Sequence, residues 1–269
     1  KEKYKAVLFS SGVTPWKSWL FMLLLKAENK IGEYKKIRYP GLSYYTQYKP
    51  NRSRTQNNYA LFQSFLHLPS WDEAMANQKE LNLYTYFHLT EENQQWAENF
   101  LAENNLTGKK IIGIHPGCMA KNKYKRWNKE YFIALIEKLK RQYDYPVLII
   151  AGPDELEVGK EIQARTNTLL LLNAPLANVA AVISRLHFFI NTDSGLGHIA
   201  SCFGIKGLTI FGPANELQTA PFSPNSNVIR YPIACAPCRE KTKKPKCTLD
   251  CLIKLTPEMV FKRVQELLD

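Results

Sequence analysis

The sequence lacks any apolar stretch long enough to cross a membrane. The longest one near its start, Trp19–Leu25, has seven residues, whereas a spanning helix needs roughly 20. Charged residues make up 22% of the chain and hydrophobic residues 45%. These values are ordinary for globular proteins and exclude disorder, collagen and coiled coil. The composition therefore predicts a folded protein with a sizeable buried core and no membrane-spanning segment.

Cysteine is scarce, with six residues in the whole chain, too few for a disulfide scaffold. Four of them cluster as two short-spaced pairs that suit tetrahedral thiolate ligation of Zn or Fe: Cys235, Cys238, Cys247 and Cys251. The segment between the pairs, residues 239–246, has five positive side chains and one negative, which favours ionised thiols. A reduced, metal-free loop or a pair of disulfides are the alternatives.

Acidic residues are in the minority. The chain has 36 Lys and Arg against 24 Asp and Glu, a net charge of +12. This charge indicates an anionic partner, which is nucleic acid, a phosphate-bearing ligand or an acidic membrane surface. Charge alone does not choose among them.

From Lys110 onward, short β-rich runs alternate with helical patterns, as is typical of a parallel sheet built from βαβ units. The predicted strands are Ile111–His115, Val147–Ala151, Thr168–Leu172, Phe188–Asn191 and Leu208–Phe211. The predicted helices are Lys129–Tyr143, Asp154–Thr166, Leu176–Leu186, Leu196–Phe203 and Pro257–Leu268. This pattern predicts a doubly wound α/β domain.

The first hundred residues are less regular. They predict strands at Ala6–Ser10 and Lys30–Glu33, with helices at Thr14–Lys26, Tyr59–Leu66 and Glu91–Glu103. The polar segment Asn104–Lys109 is the predicted domain boundary. We therefore expect an N-terminal α/β domain over 1–108, and a nucleotide-binding domain over 109–269 that carries a four-cysteine insert at 235–251.

Ligands of open parallel sheets bind beyond the carboxyl ends of the strands, and three of the loops there are unusual. His115-Pro116-Gly117 is followed by Lys121, Lys123, Lys125 and Arg126. The glycine allows close approach of a ligand and a lysine neutralises phosphate, although these lysines also fit a solvated basic loop. Asp154 and Glu155 begin a helix, where they either hold ribose hydroxyls or only complement the helix dipole.

A third loop, Asn191–His198, enters a helix through Gly195 and Gly197. Accessible backbone N–H groups at a helix N-terminus form an anion site. The alternative is that Asp193 and Ser194 only cap the helix and that His198 is a buried structural histidine. Since the three loops follow strands of one sheet, together they predict a nucleotide diphosphate site.

These motifs, with Lys125-Arg126-Trp127 and Phe211-Gly212-Pro213, resemble glycosyltransferase family 9, the ADP-heptose:lipopolysaccharide heptosyltransferases. The resemblance covers roughly residues 110–240. It implies a GT-B architecture of two Rossmann-like domains, the N-terminal one incomplete in this chain. It also implies transfer of a sugar, heptose from ADP-heptose, to a lipopolysaccharide core or a protein hydroxyl. Such an enzyme is expected to be cytoplasmic, with peripheral contact to the inner membrane as one option.

The resemblance also assigns site residues. Lys125, Asp193 and His198 are the implied catalytic residues, with Lys125 neutralising donor phosphate. The implied donor-binding set is His115, Gly117, Lys125, Asp154, Glu155, Asp193, Ser194, Gly195 and His198, in which Asp154 or Glu155 holds the ribose. Some relatives carry a comparable four-cysteine metal finger.

One family feature has no counterpart in the sequence. A Gly-rich loop in the family carries an aspartate thought to act as general base, whereas Ser11-Gly12-Val13 has no carboxylate. We therefore expect Lys1 to fall some tens of residues inside the family pattern. Two other functions stay open. One is a catalytically silent nucleotide-binding relative. The other is a nucleic-acid-binding protein that uses Lys241, Lys243 and Lys244 of the cysteine segment, which is less favoured because it leaves the three loops unexplained.

Overall fold

The structure is a computed structural model that describes residues 3–9, 20–21, 23–35, 40–77, 85–238 and 247–269. It divides into two compact units, Lys1–Tyr84 and Thr85–Asp269. None of the helices in these described ranges is long and apolar enough to span a bilayer.

In the described part of the first unit, three parallel strands lie in the order β1-β2-β3. They are β1 (Tyr4–Phe9), β2 (Ala27–Tyr34) and β3 (Tyr44–Gln47), followed by helices α1 (Arg54–Leu66) and α2 (Trp71–Ala76). Both predicted strands are confirmed, whereas β3 was not predicted. Helix α1 starts before the predicted Tyr59 because Ser53 and Gln56 form a capping box at its N-terminus. Ser11-Gly12-Val13 and most of the predicted Thr14–Lys26 helix lie outside the described residues.

The second unit contains a six-stranded parallel sheet of order β6-β5-β4-β7-β8-β9. Its strands are β4 (Ile112–His115), β5 (Val147–Ala151), β6 (Leu169–Leu172), β7 (Phe188–Thr192), β8 (Gly207–Phe211) and β9 (Ser226–Arg230). Its α-helices are α3 (Glu91–Glu103), α4 (Lys129–Gln142), α5 (Leu156–Thr166), α6 (Leu176–Ile183), α7 (Gly195–Cys202), α8 (Glu216–Thr219), α9 (Asp250–Ile253) and α10 (Pro257–Leu268). This strand order is that of a Rossmann fold, and it reverses direction between β4 and β7.

All five predicted strands of this unit are confirmed. Four of them (β4, β5, β7 and β8) consist almost wholly of buried residues, as expected for a parallel sheet covered on both faces. Two apolar clusters provide that cover. One includes Phe132 and Val260, and the other includes Ala97 and Val182. Strand β9 was missed because its five residues are only half-buried and carry no strong apolar pattern.

Helix α3 packs in the second unit, so the division of the chain falls between Tyr84 and Thr85 rather than at 108/109. Buried Ala97 and Leu101 lie in one apolar cluster with residues of α6, and Asn93 Nδ2 donates to Asn178 Oδ1 at 2.9 Å. The polar segment Asn104–Lys109 is a tight helix end, with Asn105 and Gly108 at positive φ. The sequence predicts a linker here because Asn and Gly are common in linkers as well as at helix C-termini.

Some of the basic side chains stabilise the fold. Lys140 Nζ donates to the Thr166 carbonyl at 2.7 Å, and Lys206 Nζ donates to the Leu267 carbonyl. Both carbonyls lie in the last turns of helices, whose unpaired oxygens attract cations. These lysines are therefore explained without an anionic ligand.

Candidate functional site

The loops after β4, β5 and β7 meet at a crevice of about 400 Å³. It lies where the strand order reverses, which is where open α/β sheets bind ligands. Polar or small residues from all three loops line it: His115, Cys118, Asp154, Glu155, Ser194 and Gly195. The rest of its lining is mostly apolar: Met119, Pro153, Leu176, Leu196 and Ile199. The sequence prediction that these loops converge is confirmed.

Lys125 and Asp193 form an ion pair across the first and third loops. Lys125 Nζ lies 2.7 Å from Asp193 Oδ2, and the two side chains are 16% and 9% exposed. Asp193 therefore does more than cap a helix. Its carboxylate neutralises the cation that the sequence assigned to donor phosphate.

The N-terminus of α7 opens toward the crevice. Ser194 is the N-cap residue but its side chain makes no capping hydrogen bond. Its hydroxyl is buried and has no hydrogen-bond partner among the described residues. A Cβ on Gly195 would have no atom of the described residues within 4 Å. A buried hydroxyl without a partner, beside the positive end of a helix, suits an anionic ligand.

Gly197 and His198 differ from the sequence expectation. A Cβ on Gly197 would lie 2.5 Å from Asn191 Nδ2, so this glycine allows close packing rather than ligand approach. His198 is exposed on the first turn of α7, which rules out a buried structural histidine. It is not among the residues that line the crevice.

The two acids of the second loop have different surroundings. Glu155 is 5% exposed. Its Oε1 lies 2.9 Å from Arg126 Nη2, and its Oε2 accepts the Gly152 N–H at 3.3 Å. Asp154 is exposed and accepts the Ala120 N–H at 2.8 Å through Oδ2. Arg126 was not among the predicted site residues, although its place beside Lys125 in the Lys-Arg-Trp motif was a usable signal.

His115 and Gly117 support the first loop. His115 Nδ1–H donates to the Ile150 carbonyl at 2.8 Å, and burial lowers the pKa of the imidazole below its usual value, which favours the neutral form. Thr192 Oγ1 donates to the Gly117 carbonyl. A Cβ on Gly117 would overlap the Glu155 side chain. Gly117 thus accommodates a neighbouring side chain of the protein.

The four clustered cysteines are free thiols, which excludes the disulfide alternative in this structure. Burial, and then the neighbouring thiols, raises the pKa of Cys238 and of Cys251. Across the described residues, no three His, Cys, Asp or Glu side chains converge as metal ligands. Lys241, Lys243 and Lys244 lie outside the described residues.

The first unit has its own polar cavity of about 630 Å³, whose basic lining residues are Lys49, Arg52 and His67. Asn57, 1% exposed, holds the loop after β3. Its Oδ1 accepts the Lys49 N–H and its Nδ2 donates to the Lys49 carbonyl, both at 3.0 Å. The loop that bears Lys49 and Arg52 is therefore held in place without a ligand.

Comparison with known proteins gives consistent results. The model of glycosyltransferase family 9 (heptosyltransferase) matches residues 1–249. Lipooligosaccharide heptosyltransferase 2 of Campylobacter jejuni is 32% identical over 172 residues, which are 60% of this chain and 52% of that protein. The Haemophilus influenzae protein of the same name is 30% identical over 67% of this chain and 55% of its own length. The chain thus spans about half the length of these curated relatives.

Two solved structures share the fold. A family 9 glycosyl transferase from Veillonella parvula matches with a TM-score of 0.74 and 21% identity, over 100% of this chain and 74% of that one. ADP-heptose lps heptosyltransferase II of E. coli matches with a TM-score of 0.70 and 20% identity, over 98% and 76%. The expected GT-B fold class is confirmed. With a family model that covers most of its length and a nucleotide-sized crevice at the switch point, the chain belongs to glycosyltransferase family 9.

Proposed function

We propose that the protein transfers heptose from ADP-heptose to the anionic core of a lipopolysaccharide. The observation that carries the proposal is the crevice at the β4–β7 switch point, where the Ser194 hydroxyl is buried at the N-terminus of α7 and has no partner in the described part of the chain. The curated relatives named above are lipooligosaccharide heptosyltransferases. A protein hydroxyl is the alternative acceptor.

The residues of the crevice suit the parts of ADP. Met119 and Leu176 are exposed at 57% each and offer apolar surface to the base. Asp154 offers a carboxylate to the ribose hydroxyls, since it is exposed and lines the crevice. Ser194 and the N–H groups of the first turn of α7 are placed for the diphosphate.

The chemistry follows from this arrangement. When the bond between the anomeric carbon and the diphosphate oxygen breaks, ADP leaves with added negative charge. Lys125 and the N-terminus of α7 stabilise that charge in the transition state. Asp193 holds Lys125 in place before the donor binds. His198, exposed on the first turn of α7, is the residue we propose to face the sugar.

The acceptor is proposed to bind the first unit. Lys49, Arg52 and His67 line its polar cavity, and cations suit the phosphate and carboxylate groups of a lipopolysaccharide core. Replacing Lys49 and Arg52 with Gln is expected to raise the KM for the acceptor and to leave ADP affinity unchanged. An unchanged acceptor KM would exclude this cavity.

Isothermal titration with ADP, followed by a sugar-transfer assay with ADP-heptose, tests the donor assignment. Lys125→Met and Ser194→Ala are each expected to weaken ADP binding about tenfold or more, because each removes a direct contact with the diphosphate. Lys160→Met is the matched control, since Lys160 is exposed on α5 outside the crevice.

Absence of ADP binding to the unmodified protein at millimolar ligand contradicts the proposal. ADP binding without sugar transfer identifies the silent relative, and salt-sensitive oligonucleotide binding instead of ADP binding favours the nucleic-acid function.

We also propose that Cys235, Cys238, Cys247 and Cys251 bind one Zn or Fe ion. Four thiols in two short-spaced pairs of the sequence are a suitable donor set for either metal. A glycosyltransferase of E. coli, TibC, whose structure matches with a TM-score of 0.50 and 13% identity, is iron-containing. Metal analysis of the isolated protein, compared with Cys238→Ser, tests this proposal. Less than 0.1 metal ion per chain in anaerobically purified protein contradicts it.

A cytoplasmic location with peripheral contact to the inner membrane is a further part of the proposal. It is supported by the net charge of +12, which attracts anionic lipid surfaces. Cosedimentation with vesicles tests the contact. Binding to phosphatidylglycerol vesicles but not to phosphatidylcholine vesicles is expected, and equal sedimentation with both, or none with either, contradicts it.

A further inference from the structure

A basic cavity of about 430 Å³ lies at the amino ends of β4 and β5, the edge of the sheet opposite the crevice. Lys109 and Lys110 come just before β4, and Tyr145 comes just before β5. Because β4 and β5 are parallel neighbours, the segments that precede them meet at one edge. The polar and aromatic residues that line the cavity are Lys109, Lys110, Lys140, Tyr143, Asp144 and Tyr145.

This cavity is separate from the crevice. Strand β4 has four residues and β5 has five, and a rise of about 3.3 Å per residue places their two ends roughly 13–16 Å apart. The cavity and the crevice have no lining residue in common. The proposed transfer of heptose therefore does not explain it.

Two lysines of the cavity are available to an anion. Within the described part of the chain, no ion pair joins Lys109 or Lys110 to an acid, and Asp144 is the acid among the lining residues. Lys140 Nζ donates to the Thr166 carbonyl at 2.7 Å. Lys140 therefore adds positive charge to the cavity, while Lys109 and Lys110 can contact a ligand directly.

Contacts with aromatic rings hold Lys110 at the cavity. Its Nζ lies 5.5 Å from the centroid of the Tyr145 ring and donates to the Tyr145 hydroxyl at 3.4 Å. The Tyr145 ring stacks on that of Tyr143, with centroids 5.5 Å apart and planes at 16°, and meets the His187 ring edge to face at 5.6 Å. A cation that is already positioned binds its ligand at a smaller cost in ordering.

The Tyr143 hydroxyl is buried and has no hydrogen-bond partner among the described residues. Burial, and then the Asp269 and Tyr145 charges, raises the pKa of this phenol, so its O–H remains available as a donor. Buried polar groups of folded proteins nearly always have a partner. A buried donor without one, in a cavity with three lysines, indicates that the cavity accepts an anion.

We propose that this cavity binds a phosphate monoester, either a soluble one or the headgroup of a lipid, through Lys109, Lys110 and the Tyr143 hydroxyl. A phosphate monoester carries close to two negative charges at pH 7 and has three strong acceptor oxygens. The two lysines match this charge, and the hydroxyl supplies a neutral donor. The inference goes beyond the proposed function and does not depend on it.

Isothermal titration with glycerol 3-phosphate tests the binding. The Lys109→Gln/Lys110→Gln double variant is expected to weaken it about tenfold or more, because both charge-assisted contacts are lost. Tyr143→Phe is expected to weaken it about threefold or more, through the loss of one hydrogen bond. Lys160→Gln/Lys262→Gln is the matched control, since it removes the same charge from exposed positions outside the cavity. Its affinity is expected to change by less than about twofold.

Urea titration separates a ligand contact of Tyr143 from a structural role. Without ligand, Tyr143→Phe is expected to be at least as stable as the unmodified protein, because it removes a buried hydroxyl that has no partner. Saturating glycerol 3-phosphate is expected to raise the free energy of unfolding of the unmodified protein more than that of the variant. A ligand-free Tyr143→Phe protein that is less stable would overturn the assignment of this hydroxyl to the ligand.

Cosedimentation with vesicles identifies the source of the phosphate. A lipid ligand predicts that vesicles containing phosphatidic acid sediment the unmodified protein but not the Lys109→Gln/Lys110→Gln variant, and that phosphatidylcholine vesicles sediment neither. A soluble ligand predicts that glycerol 3-phosphate binds while the vesicles do not distinguish the two proteins.

Three results would overturn the inference. The first is that the unmodified protein binds neither glycerol 3-phosphate at millimolar concentration nor the phosphatidic acid vesicles. The second is an equal loss of affinity in the two double lysine variants, which would indicate an effect of net charge alone. The third is loss of glycerol 3-phosphate binding in Lys125→Met, which would place the ligand in the crevice. Binding of glycerol 3-phosphate without any binding of ADP contradicts the proposed function alone.

Discussion

The Lys125 ammonium lies 2.7 Å from the Asp193 carboxylate, so the cation proposed to meet the donor diphosphate already has a counterion within the protein. The diphosphate must compete with Asp193 or share Lys125 with it. Removing the carboxylate charge therefore has a different effect on binding from removing the ammonium charge.

We predict that Asp193→Asn binds ADP more tightly than the unmodified protein, by about threefold to tenfold at low salt. The gain arises because Lys125 loses its counterion and attracts the diphosphate more strongly. It is expected to shrink as ionic strength rises. Titration with ADP at two salt concentrations measures both effects, and weaker binding by Asp193→Asn shows instead that this carboxylate contacts the donor directly.

Alanine substitutions at Gly117 and at Gly195 provide a matched comparison of stability. Gly117→Ala is expected to lower the free energy of unfolding by about 1–3 kcal/mol, because the new methyl group overlaps Glu155 in a packed site. Gly195→Ala places its methyl group in open space. Urea titration of both variants gives the comparison, and equal stability of the two is inconsistent with the close approach at Gly117.

The pH dependence of stability reflects His115. Burial lowers the pKa of its imidazole in the folded protein. The hydrogen bond to the Ile150 carbonyl and then the Glu155 charge oppose this effect, and Arg126 adds a further decrease. In the unfolded chain the imidazole titrates near its ordinary value of about 6.5. As pH falls below that value the unfolded state takes up a proton that the folded state does not, so stability decreases by up to about 1.4 kcal/mol per pH unit.

His115→Asn retains an N–H donor for the Ile150 carbonyl and does not titrate in this range. We expect its free energy of unfolding to decrease less than that of the unmodified protein between pH 7 and pH 5. Urea titrations across that range test the expectation. An equal decrease in the free energy of unfolding of the two proteins would exclude His115 as the source of the pH dependence.

Trp127 connects the start of α4 to the segment before α10. Its Nε1 donates to the Leu255 carbonyl at 2.8 Å and the residue is 2% exposed. Trp127→Phe removes this donor and leaves a buried carbonyl without its partner, which is expected to cost about 1–3 kcal/mol of stability. Tyr131→Phe is the control, because its hydroxyl bonds the Ile253 carbonyl in an exposed position. A smaller loss for Trp127→Phe than for Tyr131→Phe contradicts the prediction.

Much of the second unit was predictable because buried parallel strands consist of nearly continuous apolar residues. Val147–Ala151 is one such run, and its predicted bounds match the structure. Helix α10 was equally clear, since Thr256 caps it and Pro257 occupies its first position. Strands β3 and β9 were missed because short, half-buried segments have no such pattern.

The candidate site was predictable as a set of loops but not as a set of contacts. Glycines and acids after strands identified where the loops meet. They did not reveal that Glu155 faces Arg126 or that Ser194 leaves its helix uncapped. Asp154 and Glu155 are adjacent acids, and the sequence gives no reason to prefer one of them as the ribose ligand. Only their different burial distinguishes them.

The sequence by itself determined the fold class, the family and the edge of the sheet at which the crevice forms, since these depend on apolar periodicity and on residue types at strand ends. Tertiary structure decided the division between the units, through the packing of α3 against α6, and the task of each polar side chain at the crevice. The physical reason is that periodicity is local, whereas burial and pairing join residues far apart in the chain. Lys125 and Asp193 meet only because β4 and β7 are neighbours in the sheet.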